Sequence, residues 1–414
     1  MKLGTGLFYD VRMLHHINLF QEEHPECPER IKLTFNSLKE KDILSRCTRI
    51  HLTPTPGLFS ERNKTEMELI TSAHSEDHYN RIRATTIENF SELKETTHID
   101  HKDDVYFCRE TFLSAKISVL GVITLCEAVW NNTVENGIAI VRYLNITSEF
   151  VINICLTRPP GHHAEYNEVA TRVMQKKYGI KKILIVDWDI HHGNGTQAEF
   201  YEDPSVLYIS IHRYDNGEFY PHSPNASLRN IGEGAGVGRN INIPWNGNGY
   251  GDADYINAFN KIVLPVSAEF DPELIIGKKN KGFIMLTERL LLVSAGFDAA
   301  MGDTLGGCNV SPEGFAEMTL MLKQLAGGKI VLALEGGYCI EALIESIAAC
   351  TLVLLGDTLE KPNVSLGAND EAVDVVEQVI EEISPYWRCM QQLKVYEDMD
   401  VVSEVISEEF NENN

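Results

Sequence analysis

The sequence contains no Cys-x-x-Cys pair; its nine cysteines stand singly at positions 27, 47, 108, 126, 155, 308, 339, 350 and 389. Neither a zinc finger nor a dithiol redox motif is signalled, and an odd number of isolated thiols fits a reduced compartment, the cytoplasm or the nucleus. Positive charge is scarce: 36 lysines and arginines face 60 acidic residues, a net charge of −24. Nothing offers a phosphate-neutralising face, which argues against nucleic acid as a direct partner. Such an acidic surface serves solubility and also favours encounter with Lys-rich protein segments. No stretch is expected to reach the apolar length of a membrane span, and the N-terminus lacks the charged-then-apolar pattern of a secretory signal. Internal repeats, low-complexity linkers and compositional breaks are missing too. One domain is therefore expected over residues 1–395 despite a length of 414.

What is present is alternation. Ile183-Leu-Ile-Val186, Val206-Leu-Tyr-Ile-Ser210, Leu290-Leu-Leu-Val293 and Lys329-Ile-Val-Leu-Ala-Leu334 read as buried strands. Between them Tyr255, Ala258, Phe259, Ile262, Val263 and Val266 mark one apolar helix face, and 315–325 and 340–355 repeat that period. Strand–helix alternation predicts an α/β fold with a central, mostly parallel sheet and helices on both faces. Residues 369–384 read as an acidic amphipathic helix stopped by Pro385, and 396–414 as an acidic, disordered tail.

In a sheet of this kind ligands bind beyond the carboxyl ends of the strands. The polar residues that directly follow strand runs are Asp187-Trp-Asp189-Ile-His191-His192-Gly-Asn194, Ser294-Ala-Gly-Phe-Asp298 and Glu335-Gly-Gly337-Tyr338. A further loop, Arg158-Pro-Pro-Gly161-His162-His163, follows the apolar run 151–156. Asp189 and His191 are two apart, so an extended segment presents both on one side. With Asp298 they make two carboxylates and an imidazole, the ligand set of a catalytic zinc with a position left for water. His162 and His163 suit proton transfer, and Tyr338 suits donation to a developing oxyanion. Each signal alone has a bland explanation: an Asp after a strand often caps the next helix, and His15-His16 is a pair with no ligand spacing. Four such loops together outweigh those explanations.

These blocks resemble the active-site motifs of the zinc-dependent histone deacetylases, and they occur in that family's order. Flanking stretches match as well, among them Gly4-Thr-Gly-Leu-Phe-Tyr-Asp10, His24-Pro-Glu-Cys-Pro-Glu-Arg30 and Gly251-Asp-Ala-Asp-Tyr255. Asn194 points to class II, and Leu305-Gly-Gly-Cys308 with Ser311-Pro-Glu-Gly314 looks most similar to the second catalytic domain of histone deacetylase 6. The resemblance implies an arginase/deacetylase-like fold and hydrolysis of acetyl-lysine in proteins, histone tails or tubulin, within corepressor or cytoskeletal complexes. By resemblance Asp189, His191 and Asp298 hold Zn²⁺; His163 is the general base and acid, oriented by Asn194; His162 pairs with Asp187; Tyr338 polarises the acetyl carbonyl. It further implies structural K⁺ at Asp187, Asp189, His191, Ser210 and Ile211, with a second K⁺ at Phe200, Asp203 and Val206. Tyr220, Leu305, Gly161 and Gly337 would line the acyl-lysine channel.

Departures from the family pattern coincide with core elements. A Gly-Phe-Cys-containing stretch that supplies one channel wall is missing between Glu165 and Tyr166, and extra segments stand at about 143–157 and 275–289. Both extras are expected to bulge out as loops or to disturb their strands, leaving the sheet otherwise conventional, as translated introns would. The lost wall raises the alternative of a catalytically impaired scaffold. Acetylpolyamine hydrolysis is the other alternative, disfavoured because Leu305 stands where such members carry Glu.

Overall fold

The β-branched and leucine runs assemble side by side. In the computed structural model, which describes residues 3–21, 23–52, 67–68, 70–101, 106–142, 166–270, 274–278, 283–287 and 290–393, strands β1 (Thr5–Phe8), β2 (Thr48–Ile50), β3 (Asn136–Ala139), β4 (Ile183–Asp187), β5 (Val206–Arg213) and β6 (Asn240–Trp245) join β9 (Leu291–Ala295) and β10 (Ile330–Leu334). They form one eight-stranded sheet in the order β2-β1-β3-β10-β9-β4-β5-β6. Every pairing in it is parallel. β4, β9 and β10 are buried at each position. Because successive side chains of a strand point to opposite faces, burial without alternation means that both faces of the sheet are covered.

The central order β10-β9-β4 positions the site. Asp187 pairs with Ser294, and Ala295 with Leu334, so these three strands end at the same edge and their following loops meet there.

Covering helices begin and stop on local signals. Helix Pro312–Leu325 is capped by Ser311, whose side chain accepts from the Gly314 amide, with Pro312 in the first turn. Helix Ile340–Leu355 ends on Gly356, whose φ of 96° is the left-handed conformation glycine takes without strain. Helix Asp370–Ile383 is capped by Asn369 and buries Val375, Val376, Val379, Ile380 and Ile383. The apolar face anticipated over 255–266 is carried by Asp252–Ala258, a π turn at Phe259–Val263, and Leu264–Phe270.

One expectation is corrected. Helix Thr111–Trp130 has 20 residues and a mean hydropathy of 1.8 in its most apolar window, enough by length and composition to span a bilayer. The fold explains this composition: 72% of that window is buried, against β1, β3 and helix Tyr166–Tyr178. An apolar stretch this long is what a helix wrapped by neighbours on most sides requires.

Within the second extra segment, β7 (Leu274–Lys278) and β8 (Phe283–Thr287) form an antiparallel pair of their own, outside the main sheet. β9 follows directly and keeps its register with both neighbours. Residues 143–157, with the 151–156 run, and the tail from 394 onward lie outside the described residues.

Candidate metal centre

Asp189 and His191 sit on the loop leaving β4, and Asp298 on the loop leaving β9. The expected extended segment leaves β4 and then bends at Ile190 and His191. Asp187 Oδ1 accepts from the Asp189 amide at 3.1 Å, and Asp189 Oδ1 accepts from the His191 amide at 2.9 Å. Such aspartate-to-amide bonds two residues on are the natural turn chemistry of this side chain. The His191 ring meets both carboxylates: its Nδ1 lies 3.1 Å from Asp189 Oδ1 and 3.1 Å from Asp298 Oδ2. Ligand atoms of the three residues all fall within 4.8 Å of one another. Among the described residues no other group of three His, Cys, Asp or Glu side chains meets this condition.

The donor set suits zinc. Two ligands about 2.0–2.1 Å from a tetrahedral ion are separated by roughly 3.3 Å, close to the observed His–Asp separations. Backbone amides orient both carboxylates: Gly336 N–H donates to Asp189 Oδ2 at 2.9 Å, and Ile190 N–H to Asp298 Oδ1 at 2.8 Å. Oδ2 of Asp298 faces the His191 ring, as does Oδ1 of Asp189, which also accepts the His191 amide. Gly336 is confined to glycine by contact, since a Cβ there would collide with both carboxylates.

Electrostatics also call for a cation. Asp298 is fully buried, and that burial, with the neighbouring charge of Asp189, pushes its carboxyl up to about 7. Burial works against a charged imidazole at His191, but hydrogen bonds that the ring donates to Asp189 and Asp298 outweigh it and push the ring up to about 10. Burial, then Asp189, likewise raises Asp187 well above the usual carboxylate range.

Tyr338 lies on the Glu335-Gly-Gly-Tyr loop after β10. Arg30 reaches this loop from helix Pro28–Glu40, donating from Nη2 to Glu335 O and from Nε to Gly337 O, each at 2.6 Å. The same guanidinium lies 5.0 Å from the centre of the Tyr338 ring. These two bonds anchor the glycine-containing loop. Burial pushes the Tyr338 phenol well above its ordinary range, with Arg30 opposing, so the hydroxyl stays a proton donor at neutral pH.

The other anticipated residues have definite places. Asn194 is buried at the start of helix Asn194–Phe200, and its amide donates to His192 O at 2.8 Å. Asp187 accepts from the Tyr208 hydroxyl at 2.8 Å and pairs in register with Ser210, which neighbours Ile211 on β5. Asp203 binds Arg172 at 2.5 Å and the Ser205 amide at 2.9 Å, beside Phe200 and Val206. Tyr220 meets the His191 ring edge-on at 6.1 Å, while Phe219 stacks on the same imidazole at 5.4 Å. Leu305 is 42% exposed at the outer side of its loop, and Gly337 has φ 115°. Gly161, His162 and His163 lie outside the described residues. His16 is a core residue, within hydrogen-bond reach of Thr111 at 3.1 Å.

Sequence reasoning passed over Arg30, Arg213, Phe219 and Asp303. Arg30 lay in a noted flanking stretch but had no role there. Phe219 and Arg213 act jointly, the guanidinium lying 4.6 Å from the ring centre. Asp303 carried one signal: an acidic residue between glycines, five positions beyond a ligand.

A family profile described as histone deacetylase domain matches residues 24–283 and 284–354, the two segments meeting inside β8. Histone deacetylase HDA1 of Candida albicans is 40% identical over 411 residues, covering 94% of this chain and 45% of the relative. Histone deacetylase clr3 of Schizosaccharomyces pombe is 37% identical over 404 residues, covering 94% and 53%. Polyamine deacetylase HDAC10 of Homo sapiens is 34% identical over 408 residues, covering 95% and 54%. The chain thus spans about half the length of the curated relatives it matches. Among solved structures, the crystal structure of the HDA15 HD domain superposes with a TM-score of 0.75 at 30% identity, covering 97% of this chain and 99% of that one.

Proposed function

The chain belongs to the histone deacetylase family, with class II-like relatives, and on that premise we propose that it hydrolyses N6-acetyl-lysine in proteins to lysine and acetate with zinc. The observation that carries this reading is the convergence of Asp189, His191 and Asp298 beneath a loop that presents Tyr338. Asp189, His191 and Asp298 would hold the zinc, which would supply Lewis acidity to the acetyl carbonyl. Tyr338 donates its hydroxyl hydrogen to the oxyanion that develops there, an interaction worth roughly 10²–10³ in rate. His163, oriented by Asn194, takes the proton of the attacking water and returns it to the departing lysine amine. His162 acts electrostatically with Asp187. Tyr220, Gly161 and Gly337 line the acyl-lysine channel, and Leu305 stands at its gate.

The same reading takes 1–395 as the catalytic domain, most similar to the second catalytic domain of histone deacetylase 6. It assigns K⁺ to Asp187, Asp189, His191, Ser210 and Ile211, and a second K⁺ to Phe200, Asp203 and Val206. Histone tails or tubulin are the substrates, met in the nucleus or the cytoplasm within corepressor or cytoskeletal complexes.

A second enzymatic reading, acetylpolyamine hydrolysis, has polyamine deacetylases among the relatives in its favour. Leu305 weighs against it, because an apolar gate gives a polyamine cation no carboxylate partner. A scaffold without turnover follows if the wall missing after Glu165 is indispensable. Turnover of an acetyl-lysine peptide beside acetylspermidine, with zinc content measured in the same sample, separates the three. Faster turnover of acetylspermidine, or none of either by zinc-loaded protein, overturns the leading reading.

A further inference from the structure

Asp303 joins two loops of the site that the chain otherwise keeps apart. It is buried, on the turn that follows the Asp298 loop. Its Oδ1 accepts from the amides of Leu305 at 3.0 Å and Gly306 at 3.4 Å. Its Oδ2 accepts from the amides of Tyr338 at 2.6 Å and Cys339 at 3.0 Å. One oxygen therefore fixes the turn carrying Leu305, and the other fixes the backbone of Tyr338 itself. The first turn is fastened on its far side as well: Arg213 Nη1 donates to Gly306 O at 3.1 Å while its guanidinium lies over Phe219, which stacks on His191.

We infer that Asp303 is a positioning residue whose carboxylate couples the Leu305 turn to Tyr338. This rests on the deacetylase reading for its consequence in turnover, while the coupling itself rests on the four amide bonds. All four donors are main-chain N–H groups, so the arrangement requires an acceptor at both oxygens. A neutral amide cannot satisfy both: whichever way it is turned, its NH₂ faces two N–H donors and one loop loses its partner. A Tyr338 hydroxyl displaced by a few tenths of an ångström still closes the pocket but no longer meets the developing oxyanion, so the loss falls on kcat rather than on KM.

The test is Asp303→Asn, made alone and together with Tyr338→Phe in the full chain loaded with zinc. In the metal-free protein, amide hydrogen exchange in 303–307 or 336–341 is expected to quicken about tenfold or more. With zinc and an acetyl-lysine peptide, kcat is expected to fall about 10–100-fold with KM nearly unchanged and zinc content equal to the parent. In the Tyr338→Phe background the same substitution is expected to cost nothing further, because both act through one hydroxyl. Asp303→Ser, whose hydroxyl still serves the Leu305 turn but does not span to Tyr338, is expected to repeat the kcat loss. Unchanged exchange, losses that multiply in the double variant, or loss of folding in both single variants overturns the inference. If the zinc-loaded parent turns over no acetylated substrate, the functional reading fails, and hydrogen exchange still decides the coupling.

Discussion

The amide of Gly336 donates to Oδ2 of Asp189 at 2.9 Å, across 147 positions of sequence. The loop that presents Tyr338 is thereby registered on a member of the candidate metal centre, so displacing one displaces the other. A methyl group at 336 would press on the carboxylates of Asp298 and Asp189. Gly336→Ala is expected to weaken zinc binding about 10–100-fold, the usual cost of disturbing a group that orients a ligand. Competition with a zinc chelator measures it, and an affinity equal to the parent would contradict the packing described here.

Tyr338→Phe removes a hydroxyl and leaves the ring beside Arg30. Zinc content is expected to match the parent, while acetyl-lysine turnover falls roughly 10²–10³-fold. Turnover at the parent rate would take Tyr338 out of the mechanism.

The central strands and the candidate metal-binding group were legible because their chemistry is local. β4, β9 and β10 are apolar at consecutive positions, and their polar residues follow at once in sequence. Long-range partners leave no such trace. Arg30 meets Glu335 and Gly337 more than 300 residues away, and Asp303 meets Tyr338 across 35. Helix Thr111–Trp130 escaped for a different reason: buried on most sides, it has no polar face to reveal its period.

Glu26 makes the acid limb of stability testable. Arg142 binds both of its carboxylate oxygens, at 2.9 and 2.7 Å, and Arg30 adds a third contact at 3.3 Å. Burial opposes the charge, but the two guanidinium groups prevail and bring the carboxyl down to about 2. A carboxyl depressed in the fold stabilises it above the unfolded value near 4.5, and that contribution disappears as pH falls toward 2. It amounts to something on the order of 3 kcal/mol. Glu26→Gln is expected to be about 3–5 kcal/mol less stable at neutral pH, because Arg142 loses its buried partner. The gap from the parent should narrow between pH 4.5 and 2. Denaturant titrations of both proteins across that range check this, and a constant gap would contradict it.

The hairpin of β7 and β8 is expected to be dispensable for folding and for zinc binding. These strands pair with each other and with no strand of the main sheet, and an isolated two-stranded pair contributes little stability of its own. On its far side β9 holds Leu291 to Ile330 and Leu292 to Ile185, a register set by the sheet and not by the segment that precedes it. The match to the family profile also breaks inside β8, where an inserted segment would interrupt it. A variant lacking 275–289 joins Leu274 to Leu290, the direct connection that the family pattern implies. It is expected to fold with a melting temperature equal to or above that of the parent, because a shorter connection has less entropy to lose on closing. Its zinc content should be unchanged, since Asp298 depends on β9. A variant that fails to fold, or folds without binding zinc, would show that the hairpin supports the strand leading to the metal. Sequencing the transcript addresses the segment's origin independently: a messenger that lacks the codons for 275–289 identifies them as intron sequence, and one that contains them identifies the segment as a genuine insertion.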